Sequence, residues 1–419
     1  MTAAIIRADA RRLPLPDTSV DLIVTSPPYY ALRSYQDDGQ HYARQIGAEP
    51  TPGEYLDALL ACTREWIRVL KPEGSLWVNL GDKYSQRTAT RRSSHQDGLH
   101  PDRSGVAKNW QRDRAAGRAR MPRENTIDDT GRYVPEKSLI GLPWRYAIRC
   151  VDNLGLILRA EIIWSKPNGL PESVTDRVRR SHEQWFHFTK QPRYYAVLDE
   201  IREPHIAPNR NHGAKAMAGR NINLPRTTTG AYSGPNPLGA LPGSVWDVAT
   251  QPLKVPAALA VEHFATFPPN LIRRIVLGWS PSGICTSCGE GRRPLVARER
   301  MPDRPGRVQG RSRDALLDGH GPDGRAGNRF KAHVTVTGYA CACPEPAAPT
   351  RPSVVLDPFG GTGTTALVAS VHGRHGISVD MSADYCRLAQ WRTTDPAERA
   401  RALGAPKPPP VPNGQLEIT

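Results

Sequence analysis

The chain has 419 residues, and its 56 Lys and Arg against 41 Asp and Glu leave a net charge of +15. That length holds one large α/β domain with insertions, or two domains, and no run of 18 or more apolar residues is present to cross a membrane. Met1 to Asp9 lacks the charged start and long apolar core of a secretory leader, so a cytoplasmic protein is expected, its seven cysteines being metal ligands or free thiols sooner than disulfides.

Two short apolar runs open the chain, near 4–8 and at Val20 to Val24, and both read as buried strands. The second stops at Ser26-Pro27-Pro28-Tyr29. Glu54 to Leu70 carries Leu56, Leu59, Leu60, Trp66, Ile67 and Leu70 at helical spacing and is closed by Lys71-Pro72-Glu73-Gly74. Ser75 to Leu80 is the next strand. A helix over Pro143 to Asn153 and strands over Leu156 to Trp164 and Gln184 to Phe188 follow. Pro269 to Gly278 places Leu271, Ile272, Ile275 and Val276 on one helical face. The last module runs strand Val354 to Leu356, helix 364–372, strand Gly376 to Asp380 and helix 382–392. Such a βαβα unit normally opens a nucleotide-binding sheet. Here it comes last, so the sheet must be completed by pairing the two ends of the chain.

Three stretches between these elements are rich in Gly, Pro, Asn and Ser and strongly basic: 84–137 at +5, 201–245 at +4 and 289–340 at +5. They hold 14 of the 15 excess charges, which leaves a nearly neutral scaffold carrying basic insertions. A polyanion partner suits that distribution.

Asp357-Pro358-Phe359-Gly360-Gly361-Thr362-Gly363-Thr364-Thr365 follows the strand that starts the last module. In open α/β sheets, ligands bind outside the carboxyl ends of the strands, so this loop and the Ser-Pro-Pro-Tyr loop would face one crevice. Gly361 and Gly363 permit a tight turn and a close backbone approach at a helix start. Asp380 ends the next strand, 17 residues after Gly363, where a carboxylate can accept both hydroxyls of a ribose.

The two motifs resemble motifs IV and I of the S-adenosylmethionine-dependent DNA amino-methyltransferases, in the permuted order of the β group. Ile5 to Asp9 with Leu15 to Asp21 is similar to the family's opening. Trp164 to Asn168 and His182 to Lys190 are similar to its central strands, and His263 to Pro268 to its lead into motif I. The resemblance covers about half the chain. It implies a doubly wound, mostly parallel seven-stranded sheet of the Rossmann-like methyltransferase type with an antiparallel final hairpin. It also implies S-adenosylmethionine as cofactor and double-stranded DNA as partner, with any restriction endonuclease encoded separately. By this analogy Phe359 flanks the methionine side of the cofactor, Asp380 holds the ribose and Asp9 sits near the adenine amino group, with Asp357 and Thr364 in the same cofactor set.

An exocyclic amino nitrogen is a poor nucleophile because its lone pair is delocalised into the ring. Acceptors for both amino hydrogens favour a pyramidal nitrogen aimed at the methyl group. Ser26 Oγ and the Pro27 carbonyl suit that task, Pro27 and Pro28 stiffen the loop, and Tyr29 offers a ring to a flipped base. C5-cytosine methylation would need a Pro-Cys nucleophile, which the chain lacks, and Cys62 and Cys150 read as core. Ser at the first position leans toward N4 of cytosine in the family, with N6 of adenine as the alternative on the same scaffold. A non-catalytic zinc-containing DNA-binding protein is the alternative of another class.

Cys285-Thr286-Ser287-Cys288 and Cys341-Ala342-Cys343 bracket an Arg-rich loop, and four thiolates from two turns make a closed structural zinc site. The resulting division is 1–83 for the catalytic half, 84–137 for a basic insertion, and 138–198 for the continuing sheet. Then come 199–245 for target recognition, 246–284 for a helical lead-in, 285–343 for the zinc insertion, 344–395 for the cofactor half and 396–419 for a disordered Pro-rich tail.

Overall fold

A computed structural model of the chain describes residues 3–32, 36–37, 40–41, 45–85, 134–169, 171–204, 238–256, 259, 266–300, 332–343, 345 and 348–405. Most of the first basic insertion (86–133), the middle of the expected recognition region (205–237) and the centre of the cysteine-bracketed insertion (301–331) lie outside the described residues.

In chain order the elements begin with β1 (Ala3–Arg7), β2 (Val20–Thr25) and the short pair β3 (Gln36–Asp37) and β4 (Gln40–His41). Helix α1 (Pro52–Val69) starts two residues before the apolar periodicity does, because Thr51 and Glu54 form a reciprocal capping box ahead of Pro52. It runs straight into β5 (Leu70–Leu80). Lys71-Pro72-Glu73-Gly74, expected as a helix stop, is an irregularity inside this strand: the partner of Val20 is Leu70 and that of Leu22 is already Ser75. The Lys71 ammonium meets buried Asp21 there at 2.5 Å.

Helix α2 (Leu142–Leu154) has glycine at its N-cap and takes its cap from a distance: the Asp82 carboxylate accepts the Gly141 and Leu142 N–H groups at 3.0 Å. There follow β6 (Ile157–Ser165), β7 (His182–Thr189), β8 (Val245–Asp247), α3 (Pro269–Trp279) and β9 (Ile284–Cys285). A ribbon of β10 (Arg293–Arg300) and β11 (Ala332–Ala340) comes next, then β12 (Thr350–Arg351). The last module is β13 (Val354–Asp357), α4 (Thr364–Val371), β14 (His375–Asp380) and α5 (Ala383–Thr394), followed by α6 (Pro396–Leu403).

Eight strands form the main sheet in the order β1-β14-β13-β2-β5-β7-β6-β8. Only β7 runs against the others, through its antiparallel pairings with β5 and β6. The expected count of seven is corrected by β8, three residues added parallel to β6 at the edge. The end-to-end closure follows from β1 pairing with β14 and β2 with β13.

Both sheet faces are covered, which explains why β2 is buried at every position. Leu76, Val78 and Leu80 of β5 join Leu56, Leu59 and Tyr146 from α1 and α2 in one core. Trp77 between them joins Leu271, Ile272, Ile275 and Leu367 from α3 and α4 in the other. The tail expected from 396 starts instead as a helix. Asp395 accepts the Ala397 and Glu398 N–H groups, Pro396 sits in the first turn, and Glu398 is buried on Arg392. No helix among the described residues is long and apolar enough to cross a membrane.

Candidate active site

Strands β2 and β13 lie side by side and parallel, with Leu22 opposite Val355 and Ile23 opposite Leu356. The Ser26–Tyr29 and Asp357–Gly363 loops therefore leave the same end of neighbouring strands. From that line the chain proceeds outward both ways, β2 to β5 and β13 to β14, so the crevice lies where the strand order reverses.

Ser26-Pro27-Pro28-Tyr29 is held from three sides. Tyr55 of α1 donates its hydroxyl to the Pro28 carbonyl at 2.8 Å, whereas the Pro27 carbonyl has no hydrogen-bond partner among the described residues. Ser26 Oγ lies 3.3 Å from Asn79 Oδ1. The Tyr29 hydroxyl lies 2.7 Å from the same oxygen and 2.9 Å from Glu183 Oε2. Glu183 is in turn ion-paired to Lys166 at 2.5 Å, and the Lys166 ammonium sits over the Trp164 ring. Burial, then the negative charge of Glu183, push the Tyr29 phenol well above its ordinary value, so it keeps its proton. The ring expected to stack on a base lies against Gly81, where a Cβ would come within 2.5 Å of it.

The glycine turn is built as tightly as its sequence suggests. Gly361 and Gly363 have φ of 49° and 74°, in the left-handed region. A Cβ on Gly360 would lie 1.9 Å from Ser378 Oγ, and one on Gly363 2.7 Å from the Ala389 Cβ. Asp380 Oδ2 accepts the Gly361 N–H and Oδ1 the Ser382 N–H, both at 2.9 Å. Phe359 packs edge-on against Trp66 of α1. Asp9 follows β1 next to Asp380, since Ala8 N–H donates to the Asp380 carbonyl. Burial raises the Asp9 carboxyl, but the hydrogen bonds and charge of Arg11 outweigh it and hold the group below its ordinary value.

Two residues assigned to the cofactor set are committed elsewhere. Asp357 is 2% exposed and bonds inward, to the Phe359 N–H at 3.1 Å and the Thr365 hydroxyl at 2.8 Å. Thr364 is buried and accepts from Arg392 at 2.5 Å, which commits its hydroxyl to the packing of α4 on α5. Both shape the turn from behind.

The sulfurs of Cys285, Cys288, Cys341 and Cys343 all lie within 4.8 Å of one another. Cys285 and Cys343 are 3.8 Å apart and Cys341 and Cys343 3.2 Å. Four thiolates about 2.3 Å from a zinc ion stand roughly 3.8 Å apart, so the donor set fits that metal. Backbone N–H groups of Cys288 and Ser287 help bring the Cys285 thiol down to about 6. The insertion closes beyond the second cysteine pair, where β9 pairs with β12 through Ile284–Arg351 and Cys285–Thr350.

Sequence reasoning did not find Asn79, Gly81, Lys166 or Glu183. They lie 50 to 154 residues from Tyr29 in the chain or belong to strands read only as scaffold. The available signal was polarity in a buried run, with Asn79 fully buried between Val78 and Leu80.

Comparison with known proteins places the chain in a family. A family model described as DNA methylase, of the N6/N4 type, matches residues 20–285 and 348–391. The type II methyltransferase M.XycI of Xanthomonas campestris pv. cyanopsidis is 36% identical over 259 residues, 62% of this chain and 66% of that protein. M.SmaI of Serratia marcescens is 34% identical over 372 residues, 89% of this chain and 83% of its own. Among solved structures, the PvuII cytosine-N4-specific DNA methyltransferase aligns over 97% of this chain and 94% of its own, at 16% identity and a TM-score of 0.48. With a family match spanning both loops of the crevice, the chain belongs to the N6/N4 DNA methylase family and is an S-adenosylmethionine-dependent DNA methyltransferase.

Proposed function

We propose that this enzyme methylates the exocyclic N4 of cytosine in double-stranded DNA, on a base flipped out of the duplex. The observation that carries the reading is the placement of Ser26 Oγ and the Pro27 carbonyl, which has no partner among the described residues, on the loop after β2, the strand beside the one that leads into the glycine turn. Both are acceptors, matched to the two hydrogens of an amino group. Gly361, Gly363, Phe359, Asp380 and Asp9 are the residues to hold S-adenosylmethionine, which when bound supplies an electrophilic methyl group on a sulfonium. With that cofactor bound, the amino nitrogen would take the methyl as the methyl–sulfur bond breaks, and the proton it then loses would pass to solvent in the crevice. Ser26 and Pro27 hold that nitrogen with its lone pair directed across the crevice, and no covalent enzyme intermediate is required. Ser rather than Asp at position 26 favours cytosine.

The four-cysteine cluster is read as a structural zinc site, its four protein ligands leaving no open position for catalysis. Asn209, Arg210, Asn211, His212, Arg220, Asn221 and Asn223, which lie outside the described residues, are side chains suited to base edges and are assigned to sequence reading. The basic stretches 84–137 and 289–340 are assigned to phosphates, and a cognate endonuclease would be a separate protein.

The test is methylation of mixed-sequence DNA with labelled S-adenosylmethionine, followed by mass spectrometry of the nucleosides. N4-methylcytosine, lost in Ser26→Ala, is the expected result. N6-methyladenine would overturn the assigned base, and methyl transfer undiminished in Ser26→Ala would overturn the assigned loop.

A further inference from the structure

A serine hydroxyl can donate as well as accept, and a target amino group needs an acceptor. Something must therefore decide where the Ser26 proton points. Asn79 is fully buried on β5, and its Nδ2 donates to the Gln184 carbonyl of β7 at 3.1 Å, which fixes the direction of the amide. Oδ1 is thereby presented to Ser26 Oγ at 3.3 Å. An amide oxygen carries no proton, so that contact exists only if Ser26 donates. The remaining lone pairs of Ser26 Oγ are then left for the crevice.

The Tyr29 hydroxyl also reaches Asn79 Oδ1, at 2.7 Å, and competes with Ser26 for it. It has a second acceptor in Glu183 Oε2 at 2.9 Å, and an ionised carboxylate is the stronger acceptor of the two. Glu183 is kept in place by Lys166, itself held over Trp164. We propose that Asn79 is the positioning residue that makes Ser26 an obligatory acceptor, and that the Lys166–Glu183 pair supports it by accepting the Tyr29 hydrogen bond, with the phenol keeping its proton. The chain Ser26–Asn79–Tyr29–Glu183–Lys166 is then one device that sets hydroxyl protons before the base arrives. The inference rests on the reading of Ser26 as acceptor for the target amino group.

Action through another residue has a signature that loss of packing lacks, which is non-additivity. The experiment measures methyl transfer to DNA under single turnover, with DNA affinity alongside, in two double-mutant cycles. In the first, Asn79→Ala alone lowers the transfer rate about 10–100-fold with KM for DNA unchanged, the size expected for one lost transition-state contact. In a Ser26→Ala background the same change has no further effect, and Asn79→Asp, which restores an acceptor, recovers part of the loss. In the second, Glu183→Gln slows transfer in the wild-type background but not in Tyr29→Phe. The second cycle removes no buried backbone anchor, so it decides the matter if Asn79→Ala fails to fold. Multiplicative losses in either cycle, or an effect confined to KM, overturn the proposal. A wild-type enzyme that methylates no amino group would instead sink the underlying reading, so the two failures are distinguishable.

Discussion

The Gly361 N–H donates to Asp380 Oδ2 at 2.9 Å, and this bond ties the glycine turn after β13 to the end of β14. The other oxygen of the same carboxylate holds the Ser382 N–H at the start of α5. An acid read from sequence as a ribose partner thus organises both loops through its two oxygens.

Replacement of Asp380 by Asn places an N–H₂ group against one of two backbone donors. The loss of a charge-assisted bond is about 1.5–3 kcal/mol, so cofactor affinity should fall by about 10–100-fold. Calorimetric titration with S-adenosylmethionine checks this. An unchanged dissociation constant in a fully folded Asp380→Asn protein would show that the turn does not depend on the acid.

Asp357 gives the chain a pH-dependent stability of uncommon sign for a carboxylate. Burial, with a contribution from the nearby Asp380 charge, raises its carboxyl from 3.8 to about 6, despite the opposing bonds from Thr365 and Phe359. The folded state therefore prefers the protonated form, whose stabilisation is complete below pH 3.8 and is lost as pH rises to about 6. The shift corresponds to about 3 kcal/mol. Urea unfolding of wild type and Asp357→Asn should show the difference moving by that amount in favour of the variant between pH 4 and 7. Parallel stability curves would mean that Asp357 ionises normally.

Much of this architecture is visible in sequence where burial is two-sided or periodic. The runs ending at Thr25 and Asp357 fall within a residue or two of their strands, because each lies between neighbours and is mostly apolar, with Asp21 a buried exception. What escapes is set by partners remote in the chain. Strand β8 has three residues and exists through pairing with β6, in a stretch whose composition reads as loop. Helix α6 was obscured by the prolines after it, although Asp395-Pro396 is itself a start signal. The Asn79–Tyr29–Glu183 contacts have no periodicity at all, since β5 and β7 meet only when the sheet forms.

Arg392 and Glu398 form a buried pair behind the turn, at 2.9 Å, and Arg392 also donates to the hydroxyls of Thr362 and Thr364 on either side of Gly363. The two halves of the pair should not be equivalent. Glu398→Leu leaves a guanidinium without its carboxylate in the interior, which costs about 3–5 kcal/mol. Arg392→Met leaves Glu398 still paired with Arg401, at 3.0 Å and half exposed, and should cost less. Thermal unfolding ranks the two variants, and the reverse order would refute the asymmetry.

The cysteine cluster lies at the base of the β10–β11 ribbon, where the Arg292 guanidinium reaches the Ala348 carbonyl and the Tyr195 hydroxyl reaches the Arg292 carbonyl. Among the described residues, Arg293 to the Ala196 carbonyl and the Tyr339 hydroxyl to Glu200 also tie the ribbon to the fold, and β9 and β12 add two residue pairs. Purified protein should contain one zinc per chain by elemental mass spectrometry, and Cys341→Ser should lose it. Structural zinc contributes on the order of 10 kcal/mol to folding in small metal domains, so chelation should lower the melting temperature and open the ribbon to proteolysis near Arg293 before the sheet is cut. Protein that carries no metal as purified, and resists protease equally as Cys341→Ser, would make the four thiols a packing cluster without a ligand.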